Sequence, residues 1–175
     1  MSRLNGLILA GVLGLTACNQ PASDQDAYLD KSGPGDEIVQ VASADAEMNA
    51  AVAEAKRTLP IYLARLDAGQ LAPSDGLKVA MPTGEGNEHI WVHNVARDGD
   101  RLTGVLANQP NYLPDLNQGS PVTFTADMVS DWSYEKDGRM WGNYTTRVML
   151  PHLGPEDAAS LRQSLSPTPT ETTAS

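Results

Sequence analysis

Three side chains in the middle of the chain are of the types that general acid–base chemistry uses: Glu88, His89 and Asp131. Two carboxyl groups flanking a glycosidic bond can hydrolyse it, one giving a proton while the other attacks or activates water. An imidazole beside them titrates near neutral pH. Any chain of this size offers carboxylate pairs, so the pair implies a hydrolase only if the fold brings both acids to one cleft. A metal site reads less well. His89 and His93 are four apart, but the residues around them are rich in strand formers. A strand advances about 3.3 Å per residue, which sets their Cα atoms roughly 13 Å apart. One ion at about 2.1 Å per bond cannot join them, so His152 or distant carboxylates would be needed. No G-x-S-x-G elbow is present, and Ser130 beside Asp131 does not make one. No motif implies a cofactor.

The chemistry of Cys18 is of another kind. Arg3 precedes a short apolar run, Leu7-Ile8-Leu9-Ala10-Gly11-Val12-Leu13-Gly14-Leu15. That run is too short for a transmembrane helix, which needs about 20 residues, and it suits the h-region of a signal peptide. Leu15-Thr16-Ala17-Cys18 follows and resembles the bacterial lipobox, in which the cysteine thiol takes a diacylglycerol and small neighbours let the peptidase bind. Cys18 is the sole cysteine of 175 residues, so no disulfide forms within the chain. Lipid on it, with N-acylation, supplies the several buried chains that stable anchoring requires. Residue 19 is Asn and not Asp. The lipoprotein resemblance therefore implies the periplasmic face of the outer membrane over the inner membrane.

The aromatic residues are the third candidate group. Trp91, Tyr112, Trp132, Tyr134, Trp141 and Tyr144 all lie in the second half of the chain. Each has an apolar body and a polar tip, which suits a core or a binding face. A groove lined by Trp91, Trp132 and Tyr134, edged by Glu88, Asp131 and Asn108, would suit a sugar or a peptide. Asn108-Gln109-Pro110 offers amides on a stiff loop.

These residues need a scaffold, and the sequence divides into four parts. Residues 1–17 read as signal peptide. Residues 18–43 read as a flexible tether of breakers and charges, with Ile38-Val39-Gln40-Val41 as its one apolar patch. Residues 44–154 read as a folded domain, and residues 155–175 as a polar tail without structure. The domain opens with Met48, Val52, Ala55, Leu59, Leu63 and Leu66, the spacing of one helical face, with Asp45 as N-cap. Pro60 removes a backbone donor inside that pattern, which predicts a kink or a split. Strand-like alternation follows from Leu77. Asp98-Gly99 and Asp137-Gly138 mark hairpin turns, and Arg147-Val148-Met149-Leu150 reads as a closing strand. The expected architecture is α+β: a helix packed on a curled antiparallel sheet of about six strands.

Several segments in order also resemble one family. They are Thr58-Leu59-Pro60, Glu88-His89-Ile90-Trp91-Val92, Gly104-Val105-Leu106-Ala107-Asn108-Gln109-Pro110, Asp131-Trp132-Ser133-Tyr134, and Gly142-Asn143-Tyr144-Thr145 with Arg147. Their order and spacing are similar to those of the bacterial DUF2314 domain of unknown function across most of residues 47–150. The resemblance implies a small α+β domain and no particular activity.

Net charge is −10, which argues against nucleic acid and against electrostatic binding to anionic lipid. The expectation is a lipid-anchored envelope protein acting as a binding module. Its partner would be an envelope protein or a peptidoglycan fragment. The alternatives are a hydrolase of envelope polymer using acidic residues and a non-catalytic spacer. Cys18→Ser tests the anchor: the variant is expected to lose the acyl mass and leave the membrane fraction. A variant that keeps both would remove the lipid reading.

Overall fold

The computed structural model describes residues 46–171, so the signal peptide, tether, Cys18 and Asp45 lie outside the described residues. Helix α1 spans Ala46–Asp67 with Pro60 inside it. It is one helix, so the split that Pro60 allowed does not occur. The buried face is Met48, Ala51, Ala55, Thr58, Leu59 and Tyr62, with Leu63 and Leu66 partly buried beside it. This stripe is turned slightly from the expected one. The reason is polar as well as apolar: the indole Nε1 of Trp132 donates to the Ala55 carbonyl at 3.1 Å and to Thr58 Oγ1 at 3.2 Å.

Six strands follow: β1 (Gly76–Thr83), β2 (Gly86–Asp98), β3 (Arg101–Leu106), β4 (Pro121–Thr125), β5 (Val129–Lys136) and β6 (Arg139–Gly142). All pair antiparallel in the order β4-β3-β2-β1-β5-β6. The two Asp-Gly turns lie where the sequence puts them. Asp98 pairs with Arg101 and Lys136 with Arg139, and Gly99, Asp137 and Gly138 all take positive φ. The architecture is therefore α+β, with an open sheet.

Register decides which residues share a side, because directly opposed residues of an antiparallel pair face the same way. Leu77 lies opposite both Val92 and Trp132, and Val79 opposite Ile90 and Val129. These six are buried, and with α1 they form the core. Lys78 lies opposite both Trp91 and Asp131, and Ala80 opposite His89. These belong to the outer side, away from α1.

The chain after β6 departs from expectation. Residues 147–150 are not a strand: Tyr144–Met149 forms helix α2 and Leu150–His152 a 3₁₀ turn. Gly142 (φ 75°) and Asn143 (φ 55°) swing the chain off the sheet. A side chain at Gly142 would run into the Trp132 carbonyl and indole ring. The expected tail is also structured as far as it is described. Pro155–Ser164 forms α3, Leu165 bridges to Met140, and Gly142 N–H donates to the Pro169 carbonyl at 2.8 Å. Glu171 then pairs with Arg65 at 3.0 Å and Lys136 at 2.7 Å. The segment thus covers the β6 edge, which a sheet otherwise leaves with unpaired donors and acceptors.

Candidate functional site

The two candidate acids are both used as caps. Glu88 is buried, and its carboxylate accepts from Asn111 N–H at 2.7 Å and Tyr112 N–H at 2.9 Å. It fixes the loop after β3. Asp131 has no exposed surface. Its Oδ1 accepts from Trp132 N–H at 2.8 Å and Tyr144 N–H at 3.1 Å. Its Oδ2 accepts from Thr145 N–H at 2.8 Å and Thr145 Oγ1 at 2.6 Å. A carboxylate that accepts four donors has little room for a substrate oxygen. The two acids also point to opposite sides of the sheet, since Glu88 shares the strand parity of Ile90 and Val92 while Asp131 pairs with Lys78.

The expected aromatic groove is not assembled either. Trp132 and Tyr134 are 0% and 1% exposed, stacked on each other with centroids 5.5 Å apart, and covered by α1. Arg65 lies over the Tyr134 ring. Both belong to the core. Asn108 is buried at the start of the loop that Glu88 caps, so its amide is held inside and not offered at a rim. Trp91 alone of the proposed binding residues is both aromatic and partly exposed, and it sits on the outer side.

What does assemble around Trp91 is a polar cluster that sequence reasoning passed over. Lys78 Nζ sits 5.0 Å from the Trp91 ring centroid and donates to Thr145 Oγ1 at 2.8 Å. Thr145 Oγ1 in turn donates a hydrogen bond to Asp131 Oδ2 at 2.6 Å, giving a chain from ammonium to hydroxyl to carboxylate. Burial lowers the Lys78 pKa, and the charge of Asp131 opposes that without reversing it. On the next pair along, His89 Nδ1 and Ser130 Oγ are 2.9 Å apart, and Ser130 Oγ reaches the Lys78 carbonyl at 3.2 Å. Ser130 can hold this place because the β1–β5 register shifts between Lys78 and Val79, which leaves it as the extra residue of a bulge. The sequence signal for the cluster was Lys78 itself, a lysine between Leu77 and Val79 in an apolar strand.

Among the described residues no group of three or more His, Cys, Asp or Glu is placed to hold a metal ion. The ring of His93 instead covers the backbone of Gly76, where a Cβ would meet its Cδ2 at 2.7 Å.

The pKa of His89 is lowered, first by partial desolvation of its ring although the residue as a whole is exposed, then by the charges of Lys78 and Lys56. A proton therefore binds the unfolded chain more readily than the folded one. The stability contributed by neutral His89 is complete above its ordinary value of 6.5 and is lost as pH falls below it toward the lowered folded value. Urea midpoints should drop between pH 8 and pH 5, and His89→Gln should drop less. An identical pH dependence in the two proteins would refute the assignment.

Residues 45–166 match the family described as "Uncharacterized protein conserved in bacteria (DUF2314)". A putative ankyrin repeat protein of Neisseria meningitidis serogroup B is 29% identical over 133 residues, covering 70% of this chain and 53% of that protein. The uncharacterized protein YegJ of Escherichia coli K12 is 28% identical over 78 residues, covering 45% of this chain and 51% of its own. The chain thus spans about half the length of these curated relatives. No solved structure matches. With the family match running from the start of α1 to the end of α3, the chain belongs to the DUF2314 family.

Proposed function

We propose that this protein is a lipid-anchored binding module of the bacterial envelope, and that its recognition face is the outer side of the sheet around Trp91. One observation carries the choice of binding over hydrolysis: Glu88 and Asp131 are each consumed by backbone donors, while a partly exposed tryptophan stands on the opposite side of the sheet from the helix. His89 and Thr103 on that side are exposed, and Val105 is half-exposed. An aromatic plane among polar groups suits a sugar ring or a peptide side chain.

The anchor rests on the sequence around Cys18. Among the described residues no helix is long and apolar enough to cross a membrane. The match to about half of each relative suits a domain carried on proteins of different build. The lipobox and Asn19 favour the periplasmic face of the outer membrane, where an envelope protein or a peptidoglycan fragment would be within reach of a tethered domain.

The test is crosslinking in intact cells with the anchored full chain and its Trp91→Ala variant. Trp91 lies outside the main core, so the variant should fold, which circular dichroism checks. The native protein is expected to capture a specific partner or glycan that the variant loses at least about tenfold, the order of a buried aromatic contact. An unchanged capture profile would move the recognition face elsewhere. Specific cleavage of envelope glycan by the purified protein would favour the hydrolase.

A further inference from the structure

The segment after α3 lies on the β6 edge as a peptide ligand would. Leu165 makes a parallel bridge to Met140. Ser166 N–H donates to the Met140 carbonyl at 2.9 Å, and Gly142 N–H donates to the Pro169 carbonyl at 2.8 Å. This is strand addition, in which main-chain bonds to a sheet edge give affinity and side-chain contacts give choice. Three cations of the domain read the segment. Arg147 donates to the Ser166 carbonyl and to Ser166 Oγ, each at 2.9 Å. Arg65 and Lys136 both reach the Glu171 carboxylate, at 3.0 Å and 2.7 Å. The receiving side has its own supports: Arg65 lies over the Tyr134 ring, and Lys136 and Gly142 are set by the pairing of β5 with β6.

The segment is stiff in itself. Pro167 and Pro169 fix their own φ and bias Ser166 and Thr168 to extended backbone. Ser166 Oγ donates to the Thr168 carbonyl at 2.6 Å, and Thr168 Oγ1 to the Thr170 carbonyl at 2.8 Å, so one local bond repeats with the Ser/Thr-Pro-Thr spacing. A preset shape lowers the ordering cost of docking. The hold on the domain is uneven along it. Leu165 and Ser166 are buried, and the family match ends at Ser166. Beyond that point Pro167, Thr168 and Glu171 are exposed, and the prolines have no N–H to give the edge. Residues 167–171 are held by one main-chain bond and two partly exposed ion pairs, a kind that contributes little.

We propose that the β6 edge is a docking site for an extended, proline-containing acidic segment of a partner protein, and that residues 167–171 fill it in cis as a strap that the partner displaces. The incoming segment sets a main-chain carbonyl at Gly142 N–H and, two residues on, a carboxylate between Arg65 and Lys136. Charge complementarity commits the site to an acidic occupant: two cations converge on one carboxylate, on a chain whose net charge is −10. Proline suits the bonded position, because Gly142 offers a donor and asks only for a carbonyl in return. The edge lies three strands from β2, which carries Trp91, so failure here would leave the reading of the Trp91 face untouched.

The test titrates the full chain with the peptide acetyl-Pro-Thr-Pro-Thr-Glu-amide and follows the Gly142 amide by nuclear magnetic resonance. Glu171→Ala removes both ion pairs at an exposed position, so the variant should fold with its strap open more often. A site blocked in cis has its affinity reduced by the fraction of time it is open. The variant is therefore expected to bind the peptide at least about threefold more tightly than the native chain, with the Gly142 signal moving on binding. The same peptide ending in Gln is expected to bind the variant at least about threefold more weakly. A Gly142 signal that moves in neither protein overturns the proposal. Equal affinity of the two proteins, or of the two peptides, does so as well. A Glu171→Ala chain that dimerises in sedimentation and excludes the peptide would assign the edge to a second copy and overturn the partner reading.

Discussion

A carboxylate removed from water must recover through hydrogen bonds what it loses in hydration, and Asp131 does so by gathering four donors from two places in the chain. Its own strand supplies Trp132 N–H, and the start of α2 supplies Tyr144 N–H with the amide and hydroxyl of Thr145. These bonds hold the first turn of α2 against β5, where the negative charge also suits a helix N-terminus. Tyr144 is then placed edge-on to Trp132, with its hydroxyl 2.9 Å from Thr58 Oγ1 in α1. One acidic side chain on the outer side thereby ties the core, the helix layer and the chain after β6 together.

The same constraint divides the sheet into two chemistries. Trp132, the neighbour of Asp131, must point to the other side. There its indole is buried against α1 and its N–H is satisfied by Ala55 and Thr58. On the outer side Asp131 holds Thr145, Thr145 receives Lys78, and Lys78 lies over Trp91. The outer cluster is therefore preorganised by the bond that organises the fold. A partner docking there would meet side chains already fixed, which lowers the ordering cost of association.

Alternation and Asp-Gly turns made most of the sheet legible in the sequence, because both are local: β2 and β3 flank one Asp-Gly turn and β5 and β6 the other, although β6 ends at Gly142 where strand-like residues continue to Thr145. The side each aromatic faces was not legible. Trp91 and Trp132 look alike in sequence, and only the register places Trp91 opposite Lys78 and Trp132 opposite Leu77. Tyr144–Met149 is a helix although its Thr, Val and Tyr residues favour strand; a cap from a residue thirteen positions earlier cannot be seen in the segment itself. Helix α3 was readable and was missed. Pro155 stands at its first turn with Glu156 and Asp157, and Arg162 at its last, the usual start and stop signals. The candidate acids were identified by type alone, and type does not say whether a carboxylate faces a cleft or a backbone.

The most direct measurement is the unfolding free energy of Asp131→Asn against the native protein in urea. The amide nitrogen of asparagine cannot accept from the donors that one carboxylate oxygen now takes, which leaves buried donors without partners. The account predicts a loss of about 3 kcal/mol together with faster exchange of the Thr145 amide hydrogen. A loss under about 0.5 kcal/mol, the range of ordinary surface substitutions, would contradict the claim that this carboxylate organises the fold.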